Sequence, residues 1–505
     1  MSETPFSLWS PNSWWPRSTY PTLPLLGLSD DERTLIETLR QRALRHRRLL
    51  QLSEAYYLGE QIVKNLRIAI PKELEFISPV LGWAAQAVDP YVGRLHVDGF
   101  RLAGATDVDD RIGEILDANG FAAEQRLSFT DALSMGPSYW VVGSPLEAGD
   151  APRITVESPL NMIALWDGSG LNARAAMQEF WADDRLHGTL VVPGKTVTVA
   201  QNDKLEWEIV DRDEHGFDFV PVVRLANRPR THDRGGRSEI SNALRYYIDN
   251  AARTMLGLEV SRDLYSVPKI ALLGATEADF QNSDGSAKTA WETYITRVMA
   301  LERDDEGNLP ELKQLTPYDP SVFTKLLDWL ASAAAAEVHS PPQDMGLYTQ
   351  GNPASAEAVT ASNARRDQHA MGMQPEFGEP LKRVVQFAMR FANKGVLPAE
   401  FRRIDADWAP VTPPIPGVTS QAVAAEIQSG AIPATSDVTL KRLGYSANDR
   451  ARLAQDRDVD QGASFLQEVA HSLTAKAARV DKSLAGDVSA PAAQPAPVVP
   501  DGQNG

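Results

Sequence analysis

Side chains that could carry out acid–base or metal chemistry are widely scattered along this sequence. The eight histidines form no H-x-x-x-H or H-E-x-x-H pair, the spacing that places two imidazoles on one helix face. Cysteine is absent, which excludes zinc–thiolate sites, cysteine nucleophiles and disulfides. We therefore expect no metal and no cofactor. The histidines are His46, His96, His187, His215, His232, His339, His369 and His471.

One short motif resembles the end of a phosphate-binding loop, Gly194-Lys195-Thr196. In such a loop another glycine stands five residues before the first of these, and here that position holds Thr189. The motif also lies between two runs of alternating apolar and polar residues that are typical of strands. The sequence therefore predicts a hairpin turn at Pro193-Gly194 and no nucleotide site.

A second motif, which begins at Asp211, resembles the start of a calcium-binding loop. Its third ligand position holds His215, and Val222 stands where the loop needs a bidentate glutamate. Hard cations such as Ca²⁺ prefer oxygen ligands, so both departures remove essential contacts. We predict that this run is not a calcium site.

No motif indicates a catalytic residue. The sequence has neither the G-x-S-x-G turn of hydrolases nor the G-x-G-x-x-G turn of dinucleotide-binding proteins. Adjacent carboxylates occur in polar turns, where solvated surface positions are the simplest interpretation. We predict that the protein is not an enzyme; the alternative is a hydrolase-like enzyme built around residues 151–225. The adjacent pairs are Asp109/Asp110, Asp183/Asp184 and Asp304/Asp305.

Composition indicates a large globular protein with an acidic surface. The 505 residues are 43% hydrophobic and 23% charged, and the net charge is −17. Such a charge argues against a general nucleic-acid coat, which needs a basic surface. No run of eighteen apolar residues or secretory signal occurs, so we expect no membrane contact. The absence of cysteine fits assembly in a reducing cytoplasm.

The pattern of elements is α+β and mainly helical. Residues 29–150 are typical of helices, beginning with an acidic first turn after Ser29, and residues 151–225 alternate as strands do. A long amphipathic helix follows over 237–264, with Ser238 as its expected N-cap. The most basic stretch is Arg40, Arg42, Arg45, Arg47 and Arg48, which we interpret as a solvated face paired with acids, with nucleic-acid contact as the alternative.

The remainder of the chain is organised around two helices joined by a short loop. The first helix, 319–339, is expected to begin with Asp319 as N-cap and Pro320 at its first position. The loop 340–353 contains three prolines and two glycines. The second helix, 354–394, has interior prolines that predict a kink. The first helix carries one apolar stripe and an alanine-rich end that allows close packing; the stripe is Val322, Leu326, Trp329 and Leu330.

This order of parts resembles the portal (head–tail connector) proteins of tailed double-stranded-DNA phages, siphophage type. The resemblance covers about residues 30–470 and rests on local stretches in order: EAYYLGEQ, AQAVDPYVGRLHVDGFR, ALRYYIDNAARTMLGLEVSRDLYSVPKIALLG and PPQDMGLYTQGNPASAEAV. Another phage neck or baseplate protein is a further alternative. By resemblance the parts would be an N-terminal arm (1–28), a wing (29–236), stem helices (237–264 and 319–339), a clip (265–318), a tunnel loop (340–353), a long kinked helix (354–394), C-terminal wing and crown helices (395–480) and a disordered tail (481–505).

The resemblance implies a ring, usually of twelve subunits, at one capsid vertex, through which the genome is packaged and ejected. It implies as partners the large terminase subunit, a head–tail adaptor, and the major capsid and scaffold proteins. Double-stranded DNA would pass without sequence recognition, and the protein would occupy the virion and, during assembly, the host cytoplasm. The expected DNA-facing residues of the tunnel loop are Gln343, Asp344, Met345, Gly346, Leu347, Tyr348, Thr349 and Gln350.

Overall fold

The structure is a computed structural model, and it describes a large part of the chain as helices, strands and the turns between them. Within the described part, helices and strands alternate in the first half and helices dominate the second. The fold class is α+β, as the sequence predicts. The residues described are 25–61, 79–105, 108–145, 147, 149–204, 206–265, 270–273, 311–314, 319–346, 356–412, 416–445, 449–450 and 452–457.

Helix α1 (Asp30–Leu58) begins with a capping box. The Ser29 hydroxyl accepts from the Glu32 N–H, and the Glu32 carboxylate accepts from the Ser29 N–H at 2.9 Å. Helix α1 ends at Gly59, whose φ of 72° suits a glycine. The later helices are α2 (Trp83–Gln86), α3 (Asp89–Val92), α4 (Asp110–Ala118), α5 (Phe121–Met135), α6 (Asn242–Tyr265), α7 (Ser321–Glu337), α8 (Ala356–Ala392), α9 (Pro416–Gln428) and α10 (Asp437–Arg442).

The largest sheet has six strands in the order β1-β9-β8-β7-β6-β5, parallel between β1 and β9 and antiparallel elsewhere. A three-stranded sheet has the order β10-β3-β4, and two pairs, β13-β2 and β11-β12, are antiparallel. The strands are β1 (Leu25–Leu26), β2 (Val97–Leu102), β3 (Pro137–Gly143), β4 (Arg153–Glu157), β5 (Met162–Trp166), β6 (Ala173–Ala182), β7 (Arg185–Val192), β8 (Lys195–Gln201), β9 (Trp207–Glu214), β10 (Val222–Ala226), β11 (Ile270–Leu273), β12 (Glu311–Gln314) and β13 (Ile404–Trp408).

The two motifs that resemble ligand-binding loops lie in this six-stranded sheet. Pro193 and Gly194 form the turn between β7 and β8, which confirms the predicted hairpin. Asp211, Asp213 and Glu214 lie in β9, and strand geometry sends successive side chains to opposite faces. The run therefore does not curl around a cation, as the sequence also predicts.

The main core forms where α8 crosses the three-stranded sheet and α5. Phe377 of α8 stacks on Phe129 of α5 with ring centroids 5.3 Å apart, and both side chains are fully buried. A separate cluster joins α1 to the six-stranded sheet through Ile36, Leu39 and Trp207. The helical period of α1 and the alternation of the strands each turn one apolar face inward, so the sheet and the helix cover one another.

The chain divides into two compact units, residues 1–412 and 413–505. This division falls inside the proline-rich linker that the sequence indicates at residues 402–417. In the second unit, Ser436 caps α10 by accepting from the Thr439 N–H at 3.2 Å. The same unit contains an ion pair of Arg450 with Asp437 at 2.6 Å.

Candidate functional site

Helices α6 and α7, the two predicted stem helices, pack against each other. Gly257 allows their close approach, because a Cβ at this position would lie only 3.0 Å from the Phe323 ring. On α7 the buried face includes Ala334 and Ala335, which are at most 1% exposed. The predicted alanine-rich end thus serves close helix packing, while α6 buries larger side chains such as Ile248.

Both helices begin later than the sequence predicts. Helix α6 starts at Asn242, and Ser241 is its capping residue, since the Ser241 hydroxyl accepts from the Leu244 N–H at 3.1 Å. The predicted cap, Ser238, accepts instead from the Ile240 N–H at 2.9 Å in the turn before the helix. Helix α7 starts at Ser321, whose N–H donates to the Asp319 carboxylate at 2.9 Å.

The predicted apolar stripe of α7 is divided between core and surface. Leu330 is 2% exposed, whereas Val322, Leu326 and Trp329 are 54%, 45% and 60% exposed. These three residues follow one another at spacings of four and three, so they lie on one face of the helix. We call them the exposed stripe. Large apolar side chains that lie contiguously at a surface are typical of contact sites between proteins.

The end of α7 is held against the body of the molecule. The Tyr91 hydroxyl donates to the Val338 carbonyl at 2.5 Å, and Tyr91 itself is fully buried. The next residue, His339, has a φ of 56° and packs edge-on against the ring of His369 on α8, with centroids 4.6 Å apart. Burial lowers the pKa of His339, and the neighbouring His369 lowers it further.

The described part of the tunnel loop is a 3₁₀ turn, Pro342–Met345, which ends at Gly346 with a φ of 86°. Gln343 and Gly346 are exposed. Asp344 forms an ion pair with Arg366 of α8. The other predicted DNA-facing residues, Leu347, Tyr348, Thr349 and Gln350, lie outside the described residues, as do the expected helix cap Asn352 and Pro353.

Met345 was expected among the DNA-facing residues, and here the structure differs from the expectation. The Met345 side chain is 5% exposed and belongs to the main core. Burying an unbranched apolar side chain beneath the turn is favourable by about 1.5–3 kcal/mol, which explains why it turns inward. Met345 therefore anchors the loop, and the exposed members of the described loop are Pro342, Gln343 and Gly346.

A buried polar cluster that sequence reasoning did not identify joins α8 to the segment before α6. Glu239 is 6% exposed and accepts from Asn227 at 2.9 Å, from Arg228 at 3.4 Å and from His369 at 3.4 Å. Burial acts to raise the pKa of Glu239, but the bonds from His369 and Asn227 outweigh it, so the pKa is lowered. Gly236 has a φ of 83°, and a Cβ there would lie 2.7 Å from the Asn227 carbonyl oxygen.

The described residues contain no group of three or more histidines, aspartates and glutamates arranged to hold a metal ion. Among these same residues, no helix is both long enough and apolar enough to cross a lipid bilayer. The clustered polar groups around the loop, Glu239 and Asp344, are each neutralised by cationic partners from neighbouring elements. These ion pairs and hydrogen bonds are structural anchors, which fix the end of α7 and the start of the loop to α8.

Comparison with known sequences identifies a family over most of the chain. The family model described as phage portal protein, SPP1 Gp6-like, matches residues 37–438. The portal protein of Mycobacterium phage D29 is 28% identical over 415 residues, covering 80% of this chain and 84% of the relative. The portal protein of Mycobacterium phage L5 is 27% identical over 413 residues, with the same coverage of each chain.

Comparison with solved structures found weaker likenesses. A chain of the virion of a native gene transfer agent particle aligns with 72% of this chain and 89% of its own length, at a TM-score of 0.41 and 14% identity. A chain of the neck of that particle, computed with C12 symmetry, has the same coverage, a TM-score of 0.39 and 15% identity.

The family match decides between the interpretations that the sequence left open. A hydrolase-like enzyme built around residues 151–225 is set aside, since the matched region includes all of those residues in a structural family. A neck or baseplate protein of another kind is set aside for the same reason. The chain belongs to the SPP1 Gp6-like family of phage portal proteins, a structural family of the virion and not an enzymatic one.

Proposed function

We propose that this portal protein forms a ring, of twelve copies in the virion, at one vertex of the capsid. DNA enters during packaging and leaves during ejection through the central channel of the ring. Helices α6 and α7 are the stem, the segment between them is the clip, and residues 340–353 are the tunnel loop. The large terminase subunit binds during packaging and a head–tail adaptor binds afterwards. The major capsid and scaffold proteins surround the ring, which assembles in the host cytoplasm.

The exposed stripe is the structural observation that supports the proposed ring, and the family match supports it as well. Three large apolar side chains, Val322, Leu326 and Trp329, face outward from a helix whose opposite face is already packed. Removing the exposed half of such a side chain from water is favourable by about 1 kcal/mol, so covering the stripe with a neighbouring copy stabilises every contact of a closed ring. We assign the exposed stripe to the contact between adjacent subunits.

The net charge supports a channel that DNA passes without adhering. One chain carries −17, so twelve copies carry −204. Phosphates are repelled by such a ring, and a sliding duplex is not held by many ionic contacts at once. The few exposed residues of the tunnel loop then touch DNA without reading its sequence.

The first test is the native mass and negative-stain appearance of the purified chain. The wild type is expected as annular particles with a central hole, with a mass near twelve times 55.3 kDa. Leu326→Glu with Trp329→Glu is expected to give dispersed subunits of unchanged helical content. The matched control, Leu171→Glu with Val396→Glu, alters two other exposed apolar residues and should still form rings. A compact wild-type dimer or tetramer without a hole contradicts the proposal.

The second test concerns the tunnel loop. Removing Leu347–Gln350 spares Met345 and the ion pair of Asp344 with Arg366, so the anchors of the loop remain. Rings of normal mass are expected, while particles that carry the shortened loop should package less DNA or lose it sooner. Full packaging and retention would count against a role of this loop at the DNA.

A further inference from the structure

The structure separates four of the five arginines in the dense stretch of α1 into two groups. Arg40 and Arg47 point to Glu179 on β6, at 2.9 and 3.9 Å. Arg42 and Arg45 lie elsewhere on the helix, and they line a cavity of about 280 Å³. The first group is paired with an acid, as the sequence predicts, but its side chains are only 13% and 15% exposed and so do not form the predicted solvated face. The cavity is completed by Thr38, His46 and Leu165 of β5.

Two further arginines, Arg224 and Arg234, lie near Arg42, since the charges of Arg42 and Arg234 both act on Arg224. Trp166, next to Leu165, carries the Arg224 guanidinium over its ring at 4.4 Å. Arg224 donates to the Gly170 carbonyl at 3.2 Å, and Gly170 in turn lies against the Arg234 side chain, since a Cβ there would be 2.5 Å from the Arg234 Cδ. Burial lowers the pKa of Arg224, and the charges of Arg42 and Arg234 lower it as well, against the opposite effects of Tyr139 and Asp233.

These cations have little compensation in the described part of the chain. None of Arg42, Arg45, Arg224 and Arg234 forms an ion pair with a described residue, although the chain as a whole is strongly acidic. The Asp233 carboxylate offsets part of this charge, because it acts to raise the pKa of both His46 and Arg224 against the lowering by burial and by neighbouring arginines. Like charges gathered in this way repel each other, and a bound anion relieves that repulsion.

We propose that Arg42, Arg45 and His46, continued by Arg224 and Arg234, bind the phosphate backbone of double-stranded DNA. Guanidinium groups match phosphate oxygens with two parallel hydrogen bonds, and a group of them suits a ligand that carries many phosphates. The contact reads no sequence, because only backbone groups are engaged. This inference rests on the proposed function, which brings DNA to the ring. It adds a holding site on the wing, outside the stem and the tunnel loop.

The test is binding of a fluorescein-labelled DNA duplex of mixed sequence, followed by anisotropy over a range of salt concentrations. Arg42→Gln with Arg45→Gln should weaken binding about tenfold at low salt and reduce the salt dependence by about 1.8 in the logarithmic slope. Arg33→Gln with Arg185→Gln is the matched control. It removes the same charge from two arginines that pair with Asp30 and Glu208, and should change binding less than about twofold.

Three outcomes would overturn the inference. The wild type could fail to bind the duplex even at low salt, or both double variants could bind it equally well. A labelled oligoglutamate of equal charge could bind the wild type more tightly than the duplex, which would assign the site to an acidic protein surface. Native mass, measured on the same samples, separates this test from the ring. If the Arg42→Gln, Arg45→Gln variant forms rings that bind DNA as the wild type does, the proposed DNA site is wrong and the proposed ring is unaffected. If only this variant fails to form rings, the two arginines lie at a contact between subunits, and the DNA site is likewise wrong.

Discussion

Glu32 shows how one side chain joins a helix to a sheet. The carboxylate is 1% exposed and accepts from the Ser29 N–H at 2.9 Å, as the second half of the capping box. It also accepts from Lys195 at 2.6 Å and from Arg212 at 3.1 Å, which come from β8 and β9. Burial acts to raise the pKa of Glu32, but the bonds from Lys195 and Ser29 outweigh it and lower the pKa to about 2.

We predict that Glu32→Gln lowers the free energy of unfolding by about 3 kcal/mol at pH 7, the equivalent of a pKa shift from 4.5 to about 2. Because the folded pKa is the lower one, this stabilisation is complete above pH 4.5 and disappears as the pH falls towards 2. Urea unfolding at several pH values measures it, and the wild type and variant should converge in acid.

The control for this prediction is Glu208→Gln in the same sheet. Glu208 is 46% exposed at the side chain and lies 3.7 Å from Arg185, so its loss should cost less than about 0.5 kcal/mol. A constant difference between the wild type and Glu32→Gln from pH 7 to pH 2.5 would show that the charge of Glu32 is not the stabilising element.

At the scale of residues, the sequence predicted the contacts between neighbours along the chain but not the contacts between distant residues. The acidic first turn of α1 was evident, because capping depends on neighbours along the chain. The pairing of Glu32 with Lys195 was not, since the two residues are 163 positions apart. In the same way the Glu239 cluster depends on His369, which is 130 positions away, and no spacing in the sequence joins them.

Among the elements, the contact between α3 and the end of α7 offers a direct test of what holds the base of the tunnel loop. Tyr91→Phe removes the hydroxyl that donates to the Val338 carbonyl and leaves that carbonyl without this donor. We predict a loss of about 1–1.5 kcal/mol in the free energy of unfolding, with faster proteolysis after His339. Limited proteolysis and urea unfolding measure the two effects.

Tyr246→Phe is the matched control for this change. Tyr246 lies on the exposed face of α6 at 62% exposure, so the loss of its hydroxyl should leave stability within about 0.5 kcal/mol of the wild type. Equal effects of the two substitutions would mean that the bond to Val338 does not hold the loop.

Strands β11 and β12, which flank most of the proposed clip, allow that segment to be removed cleanly. Leu273 of β11 stands directly opposite Glu311 of β12, and antiparallel strands in this register can be joined by a two-residue turn. We predict that replacing residues 274–310 by Asn-Gly leaves ring formation intact and abolishes binding of the large terminase subunit. Co-sedimentation of rings with terminase measures this, and undiminished binding would assign terminase contact to another segment.

At the scale of elements, the helical spacing of apolar residues identified the apolar positions of α7. It could not show which surface covers each of them. The stripe was read from spacing alone, and Leu330 is indeed buried within the chain. Trp329, one residue before Leu330, is 60% exposed, and the spacing of apolar residues does not distinguish the exposed position from the buried one. The cap of α6 was missed by three residues, because Ser241 and Ser238 are chemically equivalent candidates.

The whole molecule poses a question of charge, because every subunit of a ring repels the others. With −17 on each chain, we predict that raising sodium chloride from about 0.05 M to about 0.5 M shifts the native mass from free subunits towards rings. Salt screens the repulsion and leaves the apolar contact of the exposed stripe unchanged. Analytical ultracentrifugation measures the distribution. Rings that fall apart in salt would instead be held by ion pairs between subunits.

At the scale of the chain, the order of elements was informative enough to indicate the family, and the proline-rich linker contained the division at residues 412 and 413. The assignments of wing, stem, clip and crown remain proposals. They describe positions in an assembly, and a single chain does not contain the neighbours that define them. Residues 1–24 of the N-terminal arm and the whole tail lie outside the described residues, while the last residues of the arm form β1, which pairs with β9.

Helix α8 has a mechanical consequence that follows from its length and its two interior prolines. Its 37 residues form a rod about 55 Å long, one end of which begins just after the tunnel loop. Pro375 and Pro380 donate no backbone hydrogen bond, so the carbonyls of Met371 and Glu376 lack their usual helical donors. The rod is thus softest near its middle. A displacement of about 2 Å at the loop end then tilts the first half of the helix by about 4°, and the joint at the prolines absorbs that tilt before the second half.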